Sequence, residues 1–347
     1  MSSIKDVAKQ ANVSIATVSN ALRGTKHVSK ELLERVNSAV RELDYEINPF
    51  ASSLKSRKTH TIGIVVTNMN RIFFPQVIKG IHDYFEKRDY SLTIYDTDDK
   101  FKKEKKFIEM LKTSWVDGII LDSVTEMDNR EDYFKYLSEL GSKSKKIPVI
   151  SIERNFSSFG IDSICSDNLL GSKIATEHLL SIGCKNIAHI TGPGNSCITH
   201  ERINGYTSEM KKAGLKTIIE AGDFSPLSGY QAMKELLLKG EAIDGIFASN
   251  DQMAIGAMKA IKEHGLKIPE DIKVIGYDNT FVASIVNPSL STINVPKFQL
   301  GTSAAELLMG RMEDPNRKIT NIDLPVQLIT RQSTDPKGSG TWELFGW

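Results

Sequence analysis

Two hydrophobic rhythms divide the chain. Near its start, apolar residues recur at helical spacing with small side chains. Placed at 100° per residue, Ile4, Val7, Ala8 and Ala11 share one arc, and Val18, Ala21 and Leu22 share another. Ile15, Ala16, Ser19 and Asn20 fall on the opposite side of the second helix. Alanine keeps both arcs low, so two short helices can approach closely. Asn12 stands where the chain must turn, and asparagine tolerates left-handed backbone better than most residues. Ser14 is placed to cap the second helix. Lys30–Asp44 predicts a third helix, capped by Ser29, with Leu32, Val36, Ala39, Val40 and Leu43 on one face. The pattern is that of an all-α helix-turn-helix headpiece. A further start signal, Asn48-Pro49, opens a helix that would reach only about Ser56, too short to stand alone in water.

From Thr61 the rhythm changes. Short apolar runs, TIGIVV (61–66), SLTIYD (91–96), DGIILD (117–122), IPVISI (147–152), SIC (163–165), NIAHIT (186–191), IDGIFAS (243–249) and DIKVIGY (271–277), read as strands. Between them lie amphipathic stretches such as Pro75–Arg88, Asn168–Ile182, Ile203–Ala213, Gly229–Leu238 and Asp251–His264. Alternation of this kind predicts parallel sheets covered by helices on both faces, and two successive sets of it predict two lobes. Ligands in such architectures sit outside the carboxyl ends of the strands. One more strand from Leu290, a helix over Gln299–Met312 and two short strands near Asn321–Leu328 complete the pattern.

Composition adds partners. At 347 residues the chain exceeds what one core usually holds. Residues 1–60 carry ten Lys/Arg against six Asp/Glu, leaving +4, whereas the remainder carries 34 against 37, leaving −3. A basic head on a slightly acidic body fits a phosphate-binding module attached to a sensor. Cys165, Cys184 and Cys197 show no CxxC spacing, so neither a disulfide framework nor a metal site is expected. MSSIKDVAKQ has no apolar run, and no stretch approaches a membrane span, so a cytoplasmic protein without membrane contact is expected.

Catalytic motifs are not found: there is no GxGxxG, GxxxxGK[ST], GxSxG or HExxH, and no cofactor is expected. Gly192-Pro193-Gly194 reads as a tight loop after a strand. Polar and aromatic residues do gather at strand ends: Asn68 with Phe73-Phe74, Asp122-Ser123, Arg154, Asp167-Asn168, Arg202, Phe224, Asn250-Asp251 and Asp278. Such Asp and Asn residues ordinarily cap the next helix, Asp122 and Asn168 above all, and either phenylalanine could be core. Converging on one cleft, carboxylates, guanidinium groups and rings suit a polyhydroxylated ligand.

The strings DVA, ANVS and TVS, then Val28-Ser29, together with SDN (166–168), ASND (248–251) and IGYDN (275–279), resemble the lactose-repressor/galactose-repressor family of bacterial transcription regulators. That resemblance implies a headpiece (1–46), a hinge helix (47–59) and a periplasmic-binding-protein-like effector domain. Its first lobe would be 60–161 with 291–323 and its second 162–290 with 324–334, leaving 335–347 as a poorly ordered tail. It implies a homodimer on a palindromic double-stranded DNA operator. Ile15, Ala16 and Asn20 would face bases, Thr17 and Ser19 phosphates, and Leu54 would wedge into the minor groove beside Ala51 and Lys55. Asn68, Phe73, Phe74, Asp122, Arg154, Arg202, Phe224, Asn250 and Asp278 would line the effector site. Ser196 stands where the purine-responsive branch has an arginine, which favours a sugar or sugar derivative. A purine co-repressor, a phosphorylated carrier protein as effector, a periplasmic-type sugar-binding protein and an enzyme remain as alternatives.

Overall fold

A computed structural model describes residues 2–23, 28–45, 59–114, 116–124, 130–142, 145–240 and 242–342. It divides into two compact units, Met1–Thr59 and His60–Trp347.

In the first unit the helices are α1 (Ile4–Gln10), α2 (Ile15–Arg23) and α3 (Lys30–Glu42). Asp6 accepts from the Ser3 backbone N–H at 2.8 Å and starts α1 as a capping box. Asn12 takes the left-handed turn at φ 50°. Arg35 on α3 donates to the carbonyls of Ala11 and Asn12, at 2.5 and 3.2 Å, and so ties that turn to the third helix. Ser14 Oγ accepts from Thr17 N–H at 3.0 Å and caps α2. Val7, Ala8, Ala11, Val18, Val36 and Ala39 form the buried core that the periodicity marks out.

The second unit holds two six-stranded sheets. The first runs β13 (Asn321–Leu324), β7 (Asp162–Ser166), β6 (Val149–Ile152), β3 (Gly118–Leu121), β1 (Thr61–Val66), β2 (Ser91–Asp96), with every pairing parallel. The second runs β14 (Gln327–Ile329), β12 (Ser291–Asn294), β11 (Lys273–Asp278), β10 (Gly245–Ala248), β8 (Ile187–Thr191), β9 (Ile218–Ala221), with β14 alone antiparallel. A two-stranded ribbon, β4 (Gly141–Ser142) with β5 (Lys145–Lys146), sits beside the first sheet's chain.

Side chains alternate across each strand, so Ile62, Ile64 and Val66 of β1 face one core and Val65 the other. The first of these cores is covered by α4 (Phe74–Glu86) and α12 (Lys297–Glu313). The second is covered by α5 (Phe101–Thr113) and α6 (Glu131–Ser138). On the other sheet α9 (Pro226–Leu238) and α10 (Asp251–Glu263) cover one face, and α7 (Asn168–Ser181) and α8 (Cys197–Lys212) the opposite one. Helices α4 and α12 meet backbone to backbone. A Cβ on Gly80 would lie 2.2 Å from the Phe298 carbonyl oxygen, and one on Gly301 2.0 Å from that of Val77. The short helix α11 (Phe281–Ile285) follows β11. Among the described residues no helix is long and apolar enough to cross a membrane.

The chain passes between sheets three times, after Ser166, Asn294 and Leu324. The expected lobe divisions at 161/162 and 290/291 therefore need correction. Asp162–Ser166 pairs with β6 and β13 in the first sheet, and Ser291–Asn294 pairs with β11 and β14 in the second. Pairing across long sequence distance decides this, and an apolar run carries no record of its neighbour. The expected poorly ordered tail also needs correction as far as Trp342. Gly338 and Ser339 pack on the fully buried Arg331, and Ser289 Oγ donates to the Ser339 carbonyl at 2.7 Å. Residues 46–58, which hold Ala51, Leu54, Lys55 and nearly all of the expected hinge helix, lie outside the described residues.

Candidate effector cleft and DNA-reading face

In the first unit, α2 presents the face that the periodicity assigns outward. Val18 is fully buried, whereas Ile15 is 44% exposed and Ala16 is exposed; Thr17, Ser19 and Asn20 are half-buried. A large apolar side chain left in solvent at the first position of a helix is a surface that a partner can cover. Thr17 Oγ1 lies 2.9 Å from Ser14 Oγ, so its hydroxyl also serves the cap.

In the second unit, the carboxyl ends of strands from both sheets converge on one cleft of about 510 Å³, its open mouth included. From the first sheet, Asp122 follows β3 and Glu153-Arg154 follow β6. Arg154 donates to Asp122 Oδ1 at 2.5 Å, and Thr67 Oγ1 donates to Asp122 Oδ2 at 2.6 Å. Both partners of this ion pair are more than nine-tenths buried. Asp122 thus caps no helix. Phe74 begins α4 and is 2% exposed, lying in the core while its ring also lines the cleft; Phe73 touches the cores of both lobes.

From the second sheet come Arg202 on α8, Asn250 after β10, Asp278 at the end of β11 and Phe224 after β9. Arg202 is held on several sides. Its Nε and Nη2 donate to Asn168 Oδ1 at 2.9 and 2.8 Å, its Nη1 donates to the Ser249 carbonyl, and its guanidinium lies 3.7 Å from the Tyr277 ring centroid. Asn168 is therefore occupied with Arg202, and the α7 cap is Asp167, which accepts from Leu170 N–H at 2.8 Å. Asp278 lies 3.8 Å from Arg202, too far for a tight pair. Burial pushes its carboxyl up to about 7 against the pull of that guanidinium. Asn250 caps α10 through Met253 N–H at 2.8 Å and donates to the Phe224 carbonyl at 3.0 Å, so it shapes the wall that it lines.

Of the nine expected cleft residues, the structure brings together all but Asn68. That side chain turns away, donating to Asp99 at 2.9 Å and accepting from Asn70 N–H. Arg71, four residues from the end of Thr67's strand neighbourhood, takes the place at the mouth. It donates to Thr67 Oγ1 and Asp99 Oδ1, both at 2.7 Å, and its guanidinium lies 5.0 Å from the Phe224 ring of the other lobe. Glu153 is the second lining residue that sequence reasoning missed. It is 6% exposed, and its carboxylate accepts from Ser166 N–H and Oγ at 2.9 and 2.8 Å; burial raises its pKa. The available signal is a charged Glu-Arg step directly after an apolar strand, of which both residues line the cleft.

Three lining residues, Glu153, Phe224 and Asp278, hold left-handed backbone at φ 58°, 70° and 100°. Non-glycine residues persist there only where the surroundings impose it, and such residues cluster at ligand sites. Gly192 makes room for Phe224, since a Cβ there would sit 2.2 Å from the ring. Ser196 lines the cleft with a buried hydroxyl that has no hydrogen-bond partner among the described residues. Elsewhere, His82, Asp83 and Glu86 form a carboxylate-histidine cluster along α4; it is largely exposed, and Lys79 already pairs with Asp83.

Comparison with known proteins places both units. Residues 3–48 match the family model described as bacterial regulatory proteins, lacI family, and residues 176–334 match a periplasmic binding protein-like domain. The ribose operon repressor of Halalkalibacterium halodurans is 33% identical over 334 residues, covering 96% of this chain and 97% of the relative. The transcriptional repressor PurR of Vibrio atlanticus is 32% identical over 336 residues, covering 96% and 98%. Among solved structures, the Lac repressor dimer bound to operator and the anti-inducer ONPF superposes with TM-score 0.84 at 28% identity, covering 96% and 99%. A lacI-family regulator from Enterococcus faecium with bound ribose gives TM-score 0.70 at 30% identity, covering 80% and 99%.

Proposed function

Because this chain belongs to the lacI family of bacterial regulatory proteins and is a transcriptional repressor of that family, we propose that two copies bind a two-fold operator and that a small sugar in the cleft controls them. The observation that carries the sugar reading is the buried set of unlike charges at the strand ends. Asp122 with Arg154 comes from one lobe and Arg202 with Asp278 from the other, beneath the rings of Phe73, Phe74 and Phe224. Fixed carboxylate acceptors and guanidinium donors match the alternating hydroxyls of a sugar, and aromatic faces cover its C–H side. Asn250 completes the wall, and Arg71 and Glu153 join the set; Asn68 leaves it. The Ser196 hydroxyl is a small neutral group suited to a hydroxylated ligand and supplies no cation for a purine.

Two headpieces would read the major groove with Ile15, Ala16 and Asn20 and hold phosphates with Thr17 and Ser19. Ala51, Leu54 and Lys55 would meet the minor groove at the centre of the operator, Leu54 as the wedge. A sugar that prefers one arrangement of the lobes changes operator affinity by its differential affinity, typically about 1–3 kcal/mol.

The test is a ligand screen by thermal unfolding with D-ribose, other pentoses and hexoses, hypoxanthine and guanine. A sugar at 100 times its Kd stabilises the fold by about 2.7 kcal/mol. Stabilisation by a purine base with no response to any sugar overturns the sugar reading. A mobility-shift titration on promoter fragments, repeated across salt, tests the DNA half through the steep salt dependence of phosphate contacts. Arginine pairs best with guanine and asparagine with adenine, so Asn20→Arg shifts the selected base toward G·C, by about 1–3 kcal/mol of discrimination. Binding-site selection that returns the same base for both proteins removes Asn20 from the reading face.

A further inference from the structure

Lys297 opens α12 directly after the second passage between sheets, and it is only 3% exposed. An ammonium buried this far must find acceptors for its three protons. It finds three carbonyls: Asp278, Asn279 at 2.9 Å and Val295 at 3.2 Å. Asp278 and Asn279 are successive left-handed residues, φ 100° and 50°, which is how both carbonyls come to face one cation. Other bonds secure the same turn. Asn279 N–H donates to Thr292 Oγ1 at 3.2 Å, its Nδ2 to Asn294 Oδ1 at 3.1 Å, and its Oδ1 accepts from Arg331 at 2.8 Å.

The turn stands between two openings. On one side Asp278 lines the cleft, and on the other Asn279, Thr280 and Lys297 line a second, open cavity of about 1020 Å³, its mouth included. Polar bonds hold it there: besides the lysine, Thr280 N–H and Oγ1 donate to the buried Asp251 carboxylate at 2.6 and 2.9 Å. The same lysine belongs to the helix that meets α4 backbone to backbone, and α4 begins at Phe74 in the cleft wall of the other lobe. One side chain thus joins the main-chain carbonyl of the cleft residue Asp278 in the second lobe, the crossing segment at Val295 and the helix layer of the first lobe.

We propose that Lys297 is a positioning residue of the effector site: its ammonium holds the Asp278–Asn279 turn to the crossing at Val295, fixing where the Asp278 carboxyl stands when the cleft takes its ligand. The consequence for ligand affinity rests on the sugar reading above; the clamp itself does not.

Lys297→Met keeps the aliphatic stem and removes the donors. Hydrogen exchange on the ligand-free full chain tests the clamp. Amides at 278–280 and in the first turn of α12 exchange at least about 10-fold faster in the variant, with β1 and β8 unchanged, as expected of a local opening. Unchanged exchange at both segments overturns the proposal. Calorimetric titration of D-ribose then runs a double-mutant cycle with Asp278→Asn. If the lysine acts through the carboxyl, each single change weakens binding about 10-fold and the double change no more than the worse single. Losses that multiply overturn the proposal, whereas the control pair Lys297→Met with Asp122→Asn is expected to multiply. Should Lys297→Met fail to fold, Lys297→Gln, which keeps a shorter donor, is judged by the same cycle. A parent that ignores D-ribose counts against the ribose reading, and the exchange result still decides the clamp.

Discussion

The two walls of the effector cleft carry the same kinds of charge and manage them differently. In the first lobe Arg154 and Asp122 meet at 2.5 Å and Thr67 completes the carboxylate, so the wall is a closed pair. In the second lobe Arg202 spends its donors on Asn168 and the Ser249 carbonyl, stacks on Tyr277, and leaves Asp278 at 3.8 Å. Asp122 and Arg154 are matched within the first wall, and Glu153 beside them is a buried carboxyl held by Ser166. The second keeps a carboxyl whose charge state is open near neutral pH. Identical residue types, set by different neighbours, yield one fixed surface and one adjustable surface.

Removing Arg202 tests the adjustable wall most severely. Arg202→Met strips partners from Asn168, Ser249 and Asp278 at once, and losing one side of a buried charge arrangement costs about 3–5 kcal/mol. Denaturant unfolding reads it; a loss near zero would show that the guanidinium is not structural. Asp122→Asn is milder, because the amide oxygen still accepts from Arg154 while the charge is lost. The expected cost is about 1.5–3 kcal/mol by the same measurement.

Asp278→Asn sharpens the contrast through pH. The folded pKa, about 7, lies above the unfolded carboxylate value, so the native state holds the proton more tightly. Its contribution is complete below about pH 4 and is lost as pH rises through 7, with a slope of at most about 1.4 kcal/mol per pH unit. The variant should lack that decline, so the parent-minus-variant difference shrinks with rising pH. A difference that stays flat from pH 4 to 8 would remove the titrating wall. The smallest effect is expected where the walls touch. Arg71→Ala deletes the guanidinium over Phe224 and should cost about 0.5–1 kcal/mol in thermal unfolding.

Much of this was readable from residue order. TIGIVV became a strand at its predicted ends, because a strand buried in a parallel sheet needs a continuous apolar run, and SLTIYD became the partly exposed edge strand β2. Asn12 and Ser14 did in the structure what their chemistry suggested. What escaped was non-local. IIEA, now β9, is a four-residue edge strand whose alternating burial gives too short a signal. FKKEKKFIEMLKT forms a helix that its pattern marks weakly, because its lysines dilute the stripe that buries Ile108 and Leu111. Glu153 lines the cleft from left-handed backbone, its carboxylate held by Ser166 thirteen residues on, and no pattern of polarity encodes either. Lys-Gly-Ser-Gly reads as a loose end, yet Gly338 lies against the backbone of the buried Arg331 and Ser339 bridges to it.

The triple passage between sheets also orders events during synthesis. Strands β1 to β7 leave the ribosome long before Leu300, Ala304 and Leu308, which cover one face of their sheet, and before β13, which completes its edge. The first lobe's sheet therefore has an uncovered apolar face while β8 to β12 of the second lobe are being made, and a nascent face of that kind invites aggregation or a chaperone. A translational pause placed before α12 would prolong that wait, and one placed after β13 would not.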